Sequence, residues 1–186
     1  MQVAIFGGAF DPPHLGHQAI ARFLLDSQKV DQIWWTPTGQ HAFDKSMTAA
    51  ADRQAMIELI IANQPNQTVF DWELQQNAPS YMLHTLDHVQ KTYPEHKFKL
   101  IIGSDNAHVF EKWHESEQIL DQFPVLVYPR QDFPLENLDS RFELLDEAPL
   151  VTVSSTQARE AFAAKQDTSR LVDPKIAEYS DTHSIY

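Results

Sequence analysis

"FGGAFDPPHLGH", residues 6–17, is the stretch on which the fold turns. It begins at the last residue of "VAIF" (3–6), an apolar run of the length expected of a short buried strand. Two glycines and an Asp-Pro-Pro turn then lead to His14 and His17, where a helix should begin. Neither G-x-G-x-x-G nor G-x-x-x-x-G-K-[ST] fits, so the common dinucleotide and P-loop fingerprints fail. Gly7 and Gly8 nevertheless let backbone approach a ligand. Pro12 and Pro13 stiffen the turn, and Gly16 lets the helix pack closely. A helix N-terminus attracts phosphate through its free N–H groups and partial positive charge, and two imidazoles there add donors. Two other readings compete. One is a glycine turn with two capping histidines. The other is a zinc pair, which lacks a third ligand beside it.

Working outward, short apolar runs alternate with longer amphipathic ones. The pattern predicts strands over 3–6, 32–36, 68–72, 98–102, 125–128 and 150–153. Helices are expected over 16–27, 48–62, 80–93, 105–110, 115–121, 156–165 and 173–179. The 80–93 segment carries the helical period most plainly, with Met82, Leu83, Leu86 and Val89 on one face. The last helix opens Asp-Pro, a cap followed by proline in the first turn. Strand–helix alternation predicts an α/β fold: a Rossmann-like, doubly wound parallel sheet with helices on both faces, in one domain over 1–186. Ligands in such sheets bind at the carboxyl ends of the strands, near the switch point of the strand order.

Near the other end stands "VTVSSTQAREAF" (151–162). Ser154, Ser155 and Thr156 lead into a helix and offer a second anion nest of hydroxyls and amides. Arg159 falls in its first turn, where the helix dipole disfavours a cation unless an anion sits there too. By itself this segment reads as an ordinary cap with an exposed arginine.

Together the two motifs carry a resemblance. "GGAFDPPHLGH" resembles the G-G-x-F-D-P-x-H-x-G-H signature of the nucleotidylyltransferase superfamily, and "VSSTQAR" (153–159) resembles its S-[SA]-T-x-x-R motif. "IIGSDNAHVFEKWHESEQIL" (101–120), "APSYMLHTL" (78–86) and the ending "LVDPKIAEY…IY" are similar to segments of bacterial nicotinate-nucleotide adenylyltransferases. The resemblance runs through nearly the whole chain. It implies adenylyl transfer from ATP to nicotinate mononucleotide, giving deamido-NAD and pyrophosphate with no covalent intermediate. His14 and His17 would then contact the ATP phosphates, with Lys45 and Arg159 as further cations. Gly8, Ala9, Phe10, Gly103, Asp105, Ser154, Ser155 and Thr156 would line the ATP site, Asp105 near the ribose. Thr85 and Trp113 would line the pyridine nucleotide, Trp113 either stacking on the ring or anchoring the core. No protein metal site is expected; Mg²⁺ would be held mostly by phosphates and water. Residues 155–186 would be integral to the domain.

One block departs from the pattern. Bacterial members usually carry P-P-H-[KR] after the second strand, where this chain has "TPTGQHAFDKSM" (36–47). His41 and Lys45 survive as residue types, but the loop looks closer to the P-x-G…K loop of nicotinamide-mononucleotide adenylyltransferases. A nicotinamide-using or dual-specificity enzyme therefore stays open, as does a non-catalytic nucleotide sensor of the same fold. Phosphopantetheine enzymes usually carry Thr where this chain has His14, and a dehydrogenase would need the missing glycine fingerprint.

Composition narrows the classes further. The 186 residues carry a formal net charge of -12, which argues against a nucleic-acid partner but leaves room for a small anion held by local cations. There is no cysteine, so thiolate and disulfide chemistry are excluded. With no basic leader and no apolar run of ~18 residues, a cytoplasmic protein without membrane association is expected, as a monomer or small homo-oligomer. His84 and His88, four apart on a helix, lack the glutamate of a metalloprotease motif and read as a solvated face. Trp34 and Trp35 read as core.

Overall fold

The computed structural model describes residues 1–40 and 47–186. Its described residues form a six-stranded, all-parallel sheet in the order β3-β2-β1-β4-β5-β6. The chain runs β1 (Gln2–Gly8), α1 (Leu15–Asp26), β2 (Gln32–Pro37), α2 (Ala50–Ile61) and β3 (Gln67–Val69) towards one edge. It then crosses through α3 (Met82–Thr92) to β4 (Lys97–Gly103) on the other side of β1. From there it continues through α4 (Ser104–Ala107), α5 (Ser116–Gln122), β5 (Val125–Tyr128) and β6 (Glu143–Leu144) to the other edge. Helices α6 (Ser155–Ala163) and α7 (Pro174–His183) follow. The order reverses between β1 and β4, so the ends of these two strands bound the crevice where a doubly wound sheet takes its ligand.

The side-chain period of two divides the core. On one face, Ala4 and Phe6 of β1 join Ile33 and Trp35 of β2 and meet α1, α2, α6 and α7 through Ile20, Leu24, Met56, Ile57, Ala158 and Ile176. On the other, Val3, Ile5 and Trp34 meet α3 and α5 through Leu83, Leu86, Val89 and Ile119. Trp34 and Trp35 thus point to opposite faces, both buried, and each indole N–H donates to a glutamine, Gln32 at 3.2 Å and Gln67 at 2.9 Å. Fully burying such side chains stabilises the fold by about 1.5–3 kcal/mol each. Among the described residues, no helix is long and apolar enough to cross a membrane.

Three expectations are corrected. Residues 150–153 form no strand: Val151 makes a single bridge to Arg130, while Leu150 stays exposed. The sixth strand is the two-residue Glu143–Leu144, paired to Leu126 and Val127; two exposed residues carry no period from which to read it. The third strand ends at Val69 rather than at 72, because the chain turns into a 3₁₀ segment, Trp72–Gln75. The helix expected over 105–110 is a single turn, Ser104–Ala107, followed by a 3₁₀ turn at Phe110–Lys112. His88 also differs from a solvated residue: it is half-buried and stacks on Trp72 at 4.4 Å, whereas His84 is exposed.

Candidate active site

The two histidines cap α1 with each other. His14 occupies the N-cap in extended backbone, and its Nδ1 accepts the His17 N–H at 3.3 Å. The Nδ1 of His17 accepts the His14 N–H at 3.1 Å, and the rings stack 3.6 Å apart at 18°. A nitrogen that accepts carries no proton, so each ring is neutral and keeps its hydrogen on Nε2. Burial drives both imidazoles towards this state, holding His14 down to about 3 and His17 well below the usual histidine value. The mutual repulsion and the Arg130 cation add to the effect at His17, and Arg130 adds at His14. The capping reading is therefore correct for one edge of each ring, while the opposite edge offers an N–H donor. Gly16 makes this packing possible, since a Cβ there would lie 2.5 Å from Val151 Cγ1 and 3.0 Å from His14 Nδ1.

The first-turn amides are less open than the sequence suggests. The Leu15 N–H donates to Leu171 O at 2.9 Å, and the His17 N–H is capped. The imidazoles, more than the helix amides, are thus the donors a ligand would meet. In the loop ahead of them Phe10 adopts a left-handed φ of 49°, a conformation costing a bulky residue about 1–3 kcal/mol. Its buried ring lies against Phe6, His17 and Trp35 at 5.0–5.7 Å. Gly8 admits that ring, since a Cβ there would already lie 3.3 Å from it. Phe10 could meet a nucleotide only through its backbone, beside Gly8 and Ala9.

The two sequence motifs, some 140 residues apart, bond to each other. Arg159 Nη1 donates to Asp11 O at 2.6 Å, and Ser155 Oγ donates to Pro12 O at 2.8 Å. Arg159 Nη2 also reaches Thr156 Oγ1 at 3.2 Å. Ser154 caps α6, accepting from the Gln157 N–H at 3.2 Å while Gln157 Oε1 accepts from the Ser154 N–H at 2.8 Å. At the end of β4, Gly103 and Asp105 stand beside Arg130, which follows β5. His14, His17, Gly8, Ala9, Gly103, Asp105 and the 154–159 segment therefore share the carboxyl end of the sheet at its switch point. His41 and Lys45 lie outside the described residues.

The candidate ring-site residues lie on the other side of β1. Thr85 is fully buried and donates its hydroxyl to Glu73 Oε1 at 2.6 Å. Burial raises the Glu73 carboxyl, while Thr85, Ser80, the Gly39 amide and Arg53 oppose the rise. Trp113 is half-buried with its ring 4.9 Å from Phe110. Met82, on α3 with Thr85, lies over the end of β1, where a Cβ on Gly7 would meet its Cε.

Three residues that hold the site together were missed by the sequence reading. Arg53 is buried and donates to three carbonyls, Ala9 at 2.7 Å, Thr38 at 2.8 Å and Thr48 at 2.9 Å. Asp11 accepts the Tyr186 hydroxyl at 2.7 Å and the Thr48 N–H at 3.2 Å. Arg130 ties Asp105 to Val153 O. A signal for Arg53 exists: a charge placed three and four residues before Met56 and Ile57, on the apolar stripe of its helix.

Among the described residues, no three His, Asp or Glu side chains converge as a metal cage. Nucleotidyltransferases generally use a divalent metal with the nucleotide. Imidazole, guanidinium and hydroxyl donors gathered at the switch point of a doubly wound sheet suit a nucleotide ligand. Residues 5–161 match the model of the cytidylyltransferase-like family. A probable nicotinate-nucleotide adenylyltransferase of Bacteroides thetaiotaomicron is 36% identical over 96% of this chain and 90% of its own length. One of Bacteroides fragilis is 36% identical over 94% and 89%. A solved Plasmodium falciparum nicotinic acid mononucleotide adenylyltransferase complexed with NaAD shares the fold, with a TM-score of 0.83 over 98% of this chain and 96% of that one at 20% identity. The chain belongs to the cytidylyltransferase-like family and, within it, to the nicotinate-nucleotide adenylyltransferases, and it is a nucleotidyltransferase.

Proposed function

We propose that the protein transfers the adenylyl group of ATP to nicotinate mononucleotide, forming deamido-NAD and pyrophosphate in NAD biosynthesis. The observation that carries this reading is the reciprocal histidine cap, which leaves two neutral imidazoles as Nε2–H donors at the switch point. An oxygen of the acceptor's 5′-phosphate attacks the α-phosphorus of ATP in line, the bond to the bridging oxygen breaks, and pyrophosphate leaves. The protein forms no bond in this step. It holds two anions in line and supplies donors to the oxygens that gain charge. His14 and His17 donate to those oxygens, and Arg159, Ser155 and Thr156 fix the far side of the phosphate track, with Lys45 a further cation. Asp105 accepts from the ribose hydroxyls, and Gly8, Ala9, Phe10, Gly103 and Ser154 line the nucleotide through their backbone. Mg²⁺ on the polyphosphate would supply further charge neutralisation, held by substrate and water. Thr85 and Trp113 line the pyridine ring. The whole of 1–186 acts as one domain, in the cytoplasm, as a monomer or small homo-oligomer, without nucleic-acid or membrane partners.

One observation favours a second reading, with nicotinamide mononucleotide as acceptor. The Thr85 hydroxyl is already donated to Glu73, so it is not free to bind a carboxylate on the ring. Pyrophosphate release with ATP, Mg²⁺ and each acceptor separates the two. Turnover with nicotinate mononucleotide preferred supports the first reading, turnover with nicotinamide mononucleotide preferred supports the second, and release with neither refutes both.

A further inference from the structure

Tyr186 belongs to neither phosphate motif, yet it bonds to the first of them. Helix α7 is held on α2: the Tyr179 hydroxyl donates to Asp52 Oδ1 at 3.0 Å, Lys175 Nζ donates to Leu59 O at 3.0 Å, and Ile176 is buried in the core. Ser184 then takes a left-handed φ of 55°, a region that residues with a side chain enter seldom, and the Ile185 N–H returns to Ser180 O at 3.1 Å. The turn carries Tyr186 onto α6, where its ring stacks on Phe162 at 5.3 Å and 22°. Its hydroxyl donates to Asp11 Oδ1 at 2.7 Å, across 175 residues of sequence. Burial and the Asp11 carboxylate both raise the phenol above its ordinary value, so it remains a donor at neutral pH.

Asp11 is buried, and all of its oxygens accept. Oδ1 takes the Tyr186 hydroxyl, Oδ2 takes the Thr48 N–H, and the backbone oxygen takes Arg159 Nη1. A carboxylate bonded on both oxygens cannot rotate without giving up one donor, so the side chain is fixed from two sides. Its own carbonyl is thereby aimed at Arg159. Asp11 also lies three residues before His14, and Phe162, under the phenol, lies three residues beyond Arg159. Tyr186 therefore touches both of the segments that carry donors to the switch point, the loop ahead of α1 through its hydroxyl and α6 through its ring. We propose that Tyr186 is a positioning residue for the phosphate track, acting through Asp11 to hold Arg159 and the His14 loop in one arrangement. Such a role has leverage because a misplacement of about 1 Å can cost a reaction about 10²-fold.

The proposal rests on the adenylyl transfer proposed above for its kinetic readout, and ATP binding supplies a second readout that needs no turnover. Tyr186→Phe keeps the ring on Phe162 and removes only the hydroxyl. In the full chain, with circular dichroism confirming the fold, kcat/KM for ATP is expected to fall about tenfold while the acceptor KM stays within about twofold. In Asp11→Asn, which leaves the phenol in place and takes away one carboxylate acceptor, a loss of at least the same size is expected. The double variant should fall no more than about twofold below the weaker single one, because both changes break one path. A tyrosine that serves stability alone would lower the urea midpoint and leave the folded variant within about twofold of the parent in kcat/KM. That result overturns the proposal, as does a loss confined to the acceptor KM or a double variant whose losses multiply. If Tyr186→Phe does not fold, Asp11→Asn alone decides by the same limits. A parent that binds ATP in calorimetry but releases no pyrophosphate refutes the proposed function only. The role of Tyr186 is then decided by ATP affinity, expected about three- to tenfold weaker in Tyr186→Phe and overturned by a change within about twofold. A parent that binds no ATP overturns both.

Discussion

His14 and His17 use one nitrogen each for the backbone and keep the other for chemistry. The residue types and their spacing are legible in "PPHLGH", but the reciprocal cap is not, because it depends on χ angles set by packing against Phe6, Phe10 and Gly16. Two predictions belong at this scale. His17→Ala removes one donor at a reacting phosphate and one capping acceptor. Activity should fall about 10²-fold or more, while a denaturant titration loses about 1 kcal/mol, as for a lost cap. Unchanged kcat would remove His17 from the chemistry. The second prediction concerns pH. Each imidazole is depressed in the folded protein, so below about pH 6.5 the unfolded chain binds protons that the folded one refuses. Their neutral burial therefore costs nothing above that pH, and stability falls as the pH drops below about 6.5, with His14 contributing down to about 3 and His17 adding to the loss in the same direction. Urea midpoints at pH 7, 6, 5 and 4 should fall steadily, and a flat profile to pH 4 would contradict the assigned tautomers.

At the scale of elements, the alternation of β1, β2, β4 and β5 with α1, α2 and α3 is written in the period of apolar residues, and the structure follows it to within a residue or two. Where the period is absent, reading fails. Glu143 and Leu144 are too few to show one. "PLVTV" shows an apolar run yet only Val151 pairs, because Leu150 turns to solvent and the chain is already turning towards Ser154. The ties between elements are equally hidden. Arg53 on α2 holds the carbonyls of Ala9 after β1, Thr38 after β2 and Thr48 before α2, so it fixes three segments that surround the site. Arg53→Met would leave those acceptors unpaired in the interior. It should destabilise the protein by about 1–3 kcal/mol for each carbonyl left without a donor, measurable as a shift in urea midpoint at constant slope. A loss below about 1 kcal/mol would mean that water replaces the guanidinium and that the tie is dispensable.

For the whole molecule, the strand order decides where the motifs meet, and strand order is not a local property. Residues 6–17 and 153–159 become neighbours because β1 lies next to β4 and the chain returns past β5 before α6 begins. The sequence resemblance anticipates this meeting; the bonds from Arg159 and Ser155 to the Asp11 and Pro12 carbonyls supply its physical form. The acceptor ring is the part least written in the chain, since Thr85 gives its hydroxyl to Glu73 and Trp113 leans on Phe110. The central claim is adenylyl transfer to a pyridine mononucleotide at the histidine pair. Pyrophosphate release from ATP and Mg²⁺ with nicotinate mononucleotide, run in parallel on the full chain and on a His14→Ala, His17→Ala double variant, tests it most directly. The account predicts turnover by the parent and a loss of about 10²-fold or more in the folded variant; equal rates in the two, or no pyrophosphate from the parent with either pyridine mononucleotide, would contradict it.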